Sequence, residues 1–304
     1  MVEVPSTVRN YINGDWILVD DAESLAVINP ATGERLATTP LSPASQVDQA
    51  AKAATGKRVQ AQGGAKNPMV VLPDADLEAA TTIVADSAFG CAGQRCLAAS
   101  LAITVGESGK TFTEAIGTVA RERRVGSGLD AAIEMGPVIS AQSRDRIERL
   151  IGTGVGEGGR LVADGRQTSI AGYEDGFFIR PTVLADLPAG GELARTEIFG
   201  PVLGLIHVET VDEAIGLLNS GNYGNMACLF TRNGAAARQF RYQAEVGNIG
   251  INLGVAAPMA HFPFSGWKDS FFGDLHGQGR DAVEFFTQKK VVVERWPDEW
   301  TRKF

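Results

Sequence analysis

The stretch MVVLPDADLEAATTIVADSAFGCAGQRCLAASLAITV, residues 69–105, begins and ends on short apolar runs, 69–72 and 101–105, with a helical pattern over 77–89 between them. Runs of four or five apolar residues have the length of buried strands, and two such strands joined by a crossing helix pair in parallel. The alternation continues downstream. Apolar runs at 202–208, 227–230 and 249–252 are interleaved with helical patterns at 112–123, 143–151, 211–219 and 235–242. The expected fold is α/β, with a mostly parallel sheet covered on both faces.

Upstream of this unit the pattern changes. Tyr11-Ile12 and the run 16–18 flank Asn13-Gly14, a two-residue hairpin signal. A second turn over 29–33 leads to a strand near Leu36. A helix follows, with Ser42 as N-cap and Pro43 at its first position, running through Ala54 to a terminal cap at Gly56. Downstream, the tail from Gly279 reads as one more helix and then a strand over 289–294. There is no internal repeat or low-complexity tract.

Composition narrows the function classes. The chain has 304 residues, 44% of them hydrophobic, enough for a sizeable core. A net charge of −8 argues against nucleic acid or an anionic membrane as partner. The opening MVEVPSTVRNYINGDW lacks the charged and apolar regions of a signal peptide, and the most apolar region, 83–105, is broken by Asp86, Gln94 and Arg95. Three cysteines without metal-ligand spacing fit a reducing compartment, so a cytoplasmic protein is expected. The 36 glycines, about 12% of the chain against a usual 7%, are aperiodic and sit in short loops, as where turns approach one another or a ligand.

The chemistry concentrates at FGCAGQRC, residues 89–96. Cys96 closes a glycine-rich loop beside Arg95. The cation favours the thiolate, small neighbours give access, and backbone N–H groups are available to a developing oxyanion. Most cysteines are simply small buried hydrophobes, and that alternative stands for this motif taken alone. Likewise Glu197 and Phe199, in isolation, are residues of an ordinary turn before a strand. His261 and His276, near the C-terminal motif, read more readily as hydrogen-bonded structural residues than as bases.

Four motifs carry a resemblance: GKRVQAQGGAKN (56–67), the GQRC sequence ending at Cys96, EIFGPV (197–202) and SGWKDSFFGDLH (265–276). In order and spacing they resemble the aldehyde dehydrogenase superfamily, and the first and last resemble its CoA-acylating methylmalonate/malonate-semialdehyde branch. The likeness spans nearly all of 56–297, and residues 8–54 look like the start of the same family. It implies an aldehyde dehydrogenase-like catalytic domain, with Cys96 attacking an aldehyde to form a hemithioacetal and then, after hydride transfer to NAD, a thioester. It implies Arg95 at the substrate carboxylate, Glu197 at the nicotinamide ribose with Phe199 beside the ring wherever NAD binds, and Lys66 and Asn67 as structural residues. Hydrolytic members carry a glutamate where this chain has Ala61. Its replacement agrees with the branch in which coenzyme A, not water, takes the acyl group. Cys91 and Pro68 replace the branch's usual serine and histidine.

One departure is larger. The family places a long segment between the helix ending near Ala54 and the strand beginning near Lys57, and here Thr55-Gly56 joins them. A dinucleotide-binding fold takes on the order of 100 residues. The expected domains are therefore 1–72, a hairpin, helix and remnant of the NAD-binding domain; 73–270, the catalytic cysteine domain; and 271–304, a C-terminal helix and strand suited to oligomerisation. The family's Trp-Asn-Phe-Pro segment, which supplies an oxyanion-hole amide, is missing, and losing one such donor costs about 100- to 1000-fold in rate. NAD and coenzyme A are implied as cofactors, yet unaided NAD-dependent turnover is in question. The strands at 58–61 and 69–72 are expected to need new covering, from the hairpin or from a second copy. Three functions stay open: a CoA-acylating semialdehyde dehydrogenase; an NAD-independent cysteine enzyme acting on thioesters, including acyl groups on a carrier protein; and a non-catalytic scaffold.

Overall fold

The computed structural model describes residues 7–19, 23–53 and 58–296. The predicted cap at Gly56 and the Thr55-Gly56 junction lie outside them. The N-terminal hairpin forms as read. β1 (Asn10–Ile12) and β2 (Asp15–Ile17) pair antiparallel around Asn13-Gly14, both at positive φ, and Tyr11 faces Trp16 across the ladder with ring centroids 4.9 Å apart. A second antiparallel pair, β3 (Ser24–Ile28) and β4 (Arg35–Pro40), flanks the predicted turn. Helix α1 (Ala44–Ala53) begins one residue later than read, and the Ser42 hydroxyl accepts from Asn10 Nδ2 at 2.7 Å.

After β5 (Ala61–Gln62) the chain enters the main sheet with β6 (Asn67–Val71). It continues through α2 (Leu77–Phe89), β7 (Ala99–Val105), α3 (Ser108–Glu122), α4 (Ala141–Gly156), β8 (Arg160–Ala163), β9 (Thr182–Ala185), the short α5 (Glu192–Arg195) and β10 (Val202–Val208). Then come α6 (Val211–Asn219), β11 (Tyr223–Gly224), β12 (Met226–Phe230), α7 (Gly234–Gln243), β13 (Asn248–Ile251), β14 (Trp267–Lys268), β15 (Phe271–Phe272) and α8 (Gly279–Phe286). The seven-stranded sheet has the order β13-β12-β6-β7-β10-β9-β8, parallel throughout except for edge strand β8. The other sheets among the described residues are two-stranded and antiparallel.

Alternation along β6 builds a core on each face. Met69 and Val71 pack with Val84 and Phe89 of α2, Phe112 of α3 and Ile147 of α4, whereas Val70 and Leu72 pack with Ile215 of α6 and Phe240 of α7. The expectation that residues 69–72 need new covering is thus corrected: β6 is a central strand whose two faces are covered by the chain's own helices. The expected strand at 58–61 shrinks to Ala61–Gln62, which pairs with Phe271–Phe272. The predicted strand at 289–294 is corrected as well. Residues 287–296 belong to no helix or strand, and Val291 and Val293 are exposed. A ladder needs a neighbouring strand edge, and none lies beside this segment among the described residues. No helix among them is long and apolar enough to cross a membrane, and none of their His, Cys, Asp and Glu side chains form a group of three that would hold a metal.

Candidate active site

The loop that carries Cys96 is set by backbone conformation. Helix α2 ends at Phe89, and the tight turn Gly90–Gly93 follows, with Cys91, Ala92 and Gly93 at φ of 53°, 53° and 67°. One of its glycines is required by backbone contact, and another leaves room for a side chain. A Cβ on Gly93 would lie 2.1 Å from Gly200 O, and one on Gly90 would lie 2.8 Å from Arg95 Nη2. The first contact locks the cysteine loop against the EIFGPV loop. The second lets the Arg95 guanidinium fold back on α2, where Nη2 donates to Asp86 O at 2.9 Å and Ser87 O at 3.2 Å. Arg95 therefore caps the carbonyl end of α2, a favourable place for a cation.

Cys96 itself is exposed. Its carbonyl accepts from two buried amides, Asn67 Nδ2 at 2.8 Å and Asn225 Nδ2 at 2.7 Å. Asn67 Nδ2 also donates to Ala98 O at 2.9 Å, and Asn248 Nδ2 donates to Asn225 O at 3.0 Å and Ser265 O at 2.6 Å. Asn67, Asn225 and Asn248 stand at the amino ends of three adjacent strands, β6, β12 and β13, so their amides form a ladder that braces the cysteine loop and the SGW segment together. The sequence reading passed over Asn225 and Asn248. The available signal was an asparagine placed at the entrance of an apolar run.

A small cavity beside Cys96 is lined by Gln62, Gly63, Asn225, Ser265, Ser270 and Phe271, among others, and no lining residue bears a carboxylate or an imidazole. Its far wall is the docked pair of motifs: Gly63 N donates to Ser270 O at 3.0 Å, and Ser270 Oγ donates to Gly64 O at 2.7 Å. His276 is outside it, stacked on Phe271 at 4.1 Å with its ring nitrogens near Asp281 and Gly266 O. His261 lies tilted against Phe262, with ring centroids 4.5 Å apart. Of the other thiols, Cys91 is exposed, whereas burial pushes the Cys228 thiol up to about 12 and leaves it inert.

The remaining predicted residues, Arg95, Glu197 and Phe199, line a neighbouring cavity with Asn67. Asn67 is therefore shared between this cavity and the Cys96 backbone. Glu197 Oε1 accepts from Ala65 N at 3.1 Å, and a Cβ on Gly64 would meet Glu197 Oε2 at 2.7 Å, so the carboxylate rests against a bare backbone. Arg146 fixes this loop by donating to Glu197 O at 2.6 Å and Ile198 O at 2.7 Å. Phe199 sits at φ 54°, a conformation non-glycine residues seldom adopt, with its ring partly exposed.

An exposed cysteine loop, an EIFGPV loop locked to it through Gly93 and Gly200, and a docked SGWKDS segment make one constellation. The sequence profile described as the aldehyde dehydrogenase family matches residues 53–292. The chain belongs to the aldehyde dehydrogenase family. It is 46% identical over 241 residues to a malonate-semialdehyde dehydrogenase of Halalkalibacterium halodurans, covering 79% of this chain and 49% of that protein. It is 47% identical over 244 residues to malonate-semialdehyde dehydrogenase 2 of Geobacillus kaustophilus, covering 80% and 50%. A crystal structure of methylmalonate-semialdehyde dehydrogenase from Oceanimonas doudoroffii superposes with a TM-score of 0.79 at 40% identity, over 84% of this chain and 52% of that one. This aldehyde dehydrogenase chain spans about half the length of the curated relatives it matches.

Glu197 and Phe199, which the family resemblance assigns to the nicotinamide end of a dinucleotide, line one small cavity. The seven-stranded sheet is the one parallel sheet among the described residues, and its helices already cover both faces. Among the described residues no second parallel sheet is present to hold a pyrophosphate and adenosine.

Proposed function

We propose that this aldehyde dehydrogenase chain works as a cysteine acyl-transfer module for short carboxylated acyl groups, of the kind the names of its malonate- and methylmalonate-semialdehyde dehydrogenase relatives imply. The Cys96 sulfur adds to an aldehyde carbon, a C–S bond forms, and the thiol proton passes to the oxygen, giving a hemithioacetal. NAD, when bound, accepts the hydride that turns such an adduct into a thioester. The same Cys96 thioester is also reached without redox chemistry. Thiol–thioester exchange with an acyl-CoA releases coenzyme A as the Cys96 acyl bond forms, and the reverse regenerates acyl-CoA. The family resemblance would put Arg95 at the substrate carboxylate; with Nη2 committed to the carbonyl end of α2 and Nε enclosed, that role requires the side chain to swing away from α2 when substrate binds. Carrier-bound acyl groups are a possible class of donor, and cytoplasmic location and homo-oligomerisation belong to the same proposal.

The observation that carries this reading is the cavity beside Cys96, whose lining holds no carboxylate or imidazole to activate water. An acyl-Cys96 formed there is protected from hydrolysis while a thiol, partly ionised on arrival, takes the acyl group. The test is incubation with propionyl-CoA in the absence of NAD, followed by intact and peptide mass spectrometry. An adduct on Cys96, absent in Cys96→Ala and discharged faster by added thiol than by water, is expected. No adduct, or equal discharge by water, refutes the proposal. Calorimetric titration with NAD to millimolar concentrations separates the redox step: saturable binding would restore the complete dehydrogenase reaction to this chain.

A further inference from the structure

The side chain of Gln94, two residues before Cys96, bridges the cysteine loop and the segment that leads into α4. Its Oε1 accepts from Ile139 N at 2.8 Å, and its Nε2 donates to Pro137 O at 3.4 Å and to Cys91 O at 3.3 Å. Its backbone N also donates to Cys91 O, at 3.1 Å, and closes the left-handed turn at Cys91, Ala92 and Gly93. Pro137 O and Ile139 N lie on either side of Val138, so one planar amide meets an acceptor and a donor there as a neighbouring backbone would. A carboxamide is suited to this, because it carries an acceptor and two donors in one plane. A carboxylate only accepts, and a methionine of similar length is at most a weak acceptor.

The far side of this contact is fixed. Val138 is fully buried, and its N donates to Phe177 O at 2.9 Å. The same segment runs through the N-cap Ser140 into α4, whose Arg146 holds the Glu197 and Ile198 carbonyls. One stretch of chain, 137–146, thus grips the cysteine loop through Gln94 and the EIFGPV loop through Arg146. Cys96 is an exposed thiol, and such a thiol takes its aim from the backbone that carries it. Asn67 and Asn225 hold that backbone at the Cys96 carbonyl, and Gln94 holds it on the approach from Cys91. Gln94 lines neither the cavity beside Cys96 nor the one beside Glu197.

We propose that Gln94 is a positioning residue for acyl transfer, aiming the Cys96 sulfur by fixing its loop to the segment before α4. The inference rests on the reading of Cys96 as the acyl-accepting nucleophile. A misplacement of about 1 Å at a reacting group costs on the order of 100-fold in rate, so a brace that never touches the acyl group still governs how fast it is taken up.

The test compares the full chain as wild type, Gln94→Met and Gln94→Glu. Each is acylated by propionyl-CoA and, separately, by p-nitrophenyl propionate, an activated ester that needs no recognition of coenzyme A, with peptide mass spectrometry at Cys96. The maximal acylation rate constant is expected to fall about tenfold or more in Gln94→Met, with the half-saturating propionyl-CoA concentration little changed. A residue that merely supports the fold would instead reduce the fraction of chains labelled and leave the rate constant alone. Gln94→Glu gives a second signature. Its carboxyl accepts from Ile139 N in either form, but only the protonated form also donates, as the amide does. The rate of this variant relative to wild type should therefore recover as pH falls from 8 to 5, with no such recovery in Gln94→Met. Equal rate constants in wild type and Gln94→Met, or a Gln94→Glu ratio that is flat with pH, overturn the proposal. A wild type acylated by the ester and not by propionyl-CoA would refute the coenzyme A reading of Cys96, and the ester rates would then decide the role of Gln94. Acylation by neither donor removes both.

Discussion

Replacing Asn225 by alanine takes one of two amides away from the Cys96 carbonyl and leaves the other, Asn67 Nδ2 at 2.8 Å, in place. The loss is then one net hydrogen bond, about 0.5–1.5 kcal/mol of folding stability. Asn67→Ala is a heavier change, because the same amide also serves Ala98 O at 2.9 Å. A second buried acceptor loses its donor, which adds about 1–3 kcal/mol. In the double variant both amides on the Cys96 carbonyl are gone, so the combined loss should exceed the sum of the singles, by roughly 0.5–3 kcal/mol. Urea unfolding with linear extrapolation measures the three values and their coupling. The alkylation rate of Cys96 with iodoacetamide, read by peptide mass spectrometry, reports whether the thiol has moved while Cys91 serves as an internal reference. The predicted order is Asn225→Ala, then Asn67→Ala, then a super-additive double variant, with a changed Cys96 rate in each. If Asn225→Ala costs as much as Asn67→Ala and the double variant is merely additive, the amide ladder does not brace this loop.

Three further outcomes follow from the same geometry. Gly93→Ala sets a Cβ 2.1 Å from Gly200 O at a residue with φ 67°, so a destabilisation of about 2 kcal/mol or more in urea is expected, and a near-neutral result would mean the two loops are not locked. Lys66 binds fewer protons when folded, at a pKa of about 7, than when unfolded at 10.5, so its burial penalty is full below pH 7 and is relieved as pH rises toward 10.5. Stability of wild type relative to Lys66→Met should therefore climb by about 1.4 kcal/mol per pH unit across that window, and a flat difference would contradict the assigned burial. Glu197→Gln removes the carboxylate that holds the Lys66 pKa up, so the pH at which the stability difference from Lys66→Met begins to climb should move lower, and an upward move would refute the assigned coupling.

The sheet was legible because its strands are buried on both faces. Such strands read as unbroken apolar runs, and those at 202–208 and 227–230 coincide with β10 and β12 to within a residue. β8 and β9 escaped notice because each opens on a polar residue, Arg160 or Thr182, and so leaves an apolar run of only three, and β8 lies antiparallel at the edge, outside the strand–helix rhythm. The strand read at 289–294 shows the opposite error. Val291-Val292-Val293 has the composition of a strand, but a strand is a relation between two chain segments, and residue type does not supply the second. At the candidate site, Cys96, Arg95, Glu197 and Phe199 were singled out through motifs. Asn225 and Asn248 were not, since a single asparagine before an apolar run looks like a turn residue until the sheet order puts β13, β12 and β6 side by side. The engagement of Arg95 by α2 was equally hidden, because it depends on where a helix stops.

The same three strands bear on the order in which the chain acquires its parts. The donors on the Cys96 carbonyl come from positions 29 and 129 residues away along the chain. Neither bond can form from local sequence, and the second must wait until β12 has joined β6. Contacts of such long sequence separation form late and slowly in a folding chain. The conformation of the cysteine loop is therefore complete only once residues 223–230 have been synthesised and docked, and a chain in which they have not docked carries a Cys96 without its native setting. The thiol becomes a timer: its alkylation rate during refolding registers the closing of the sheet.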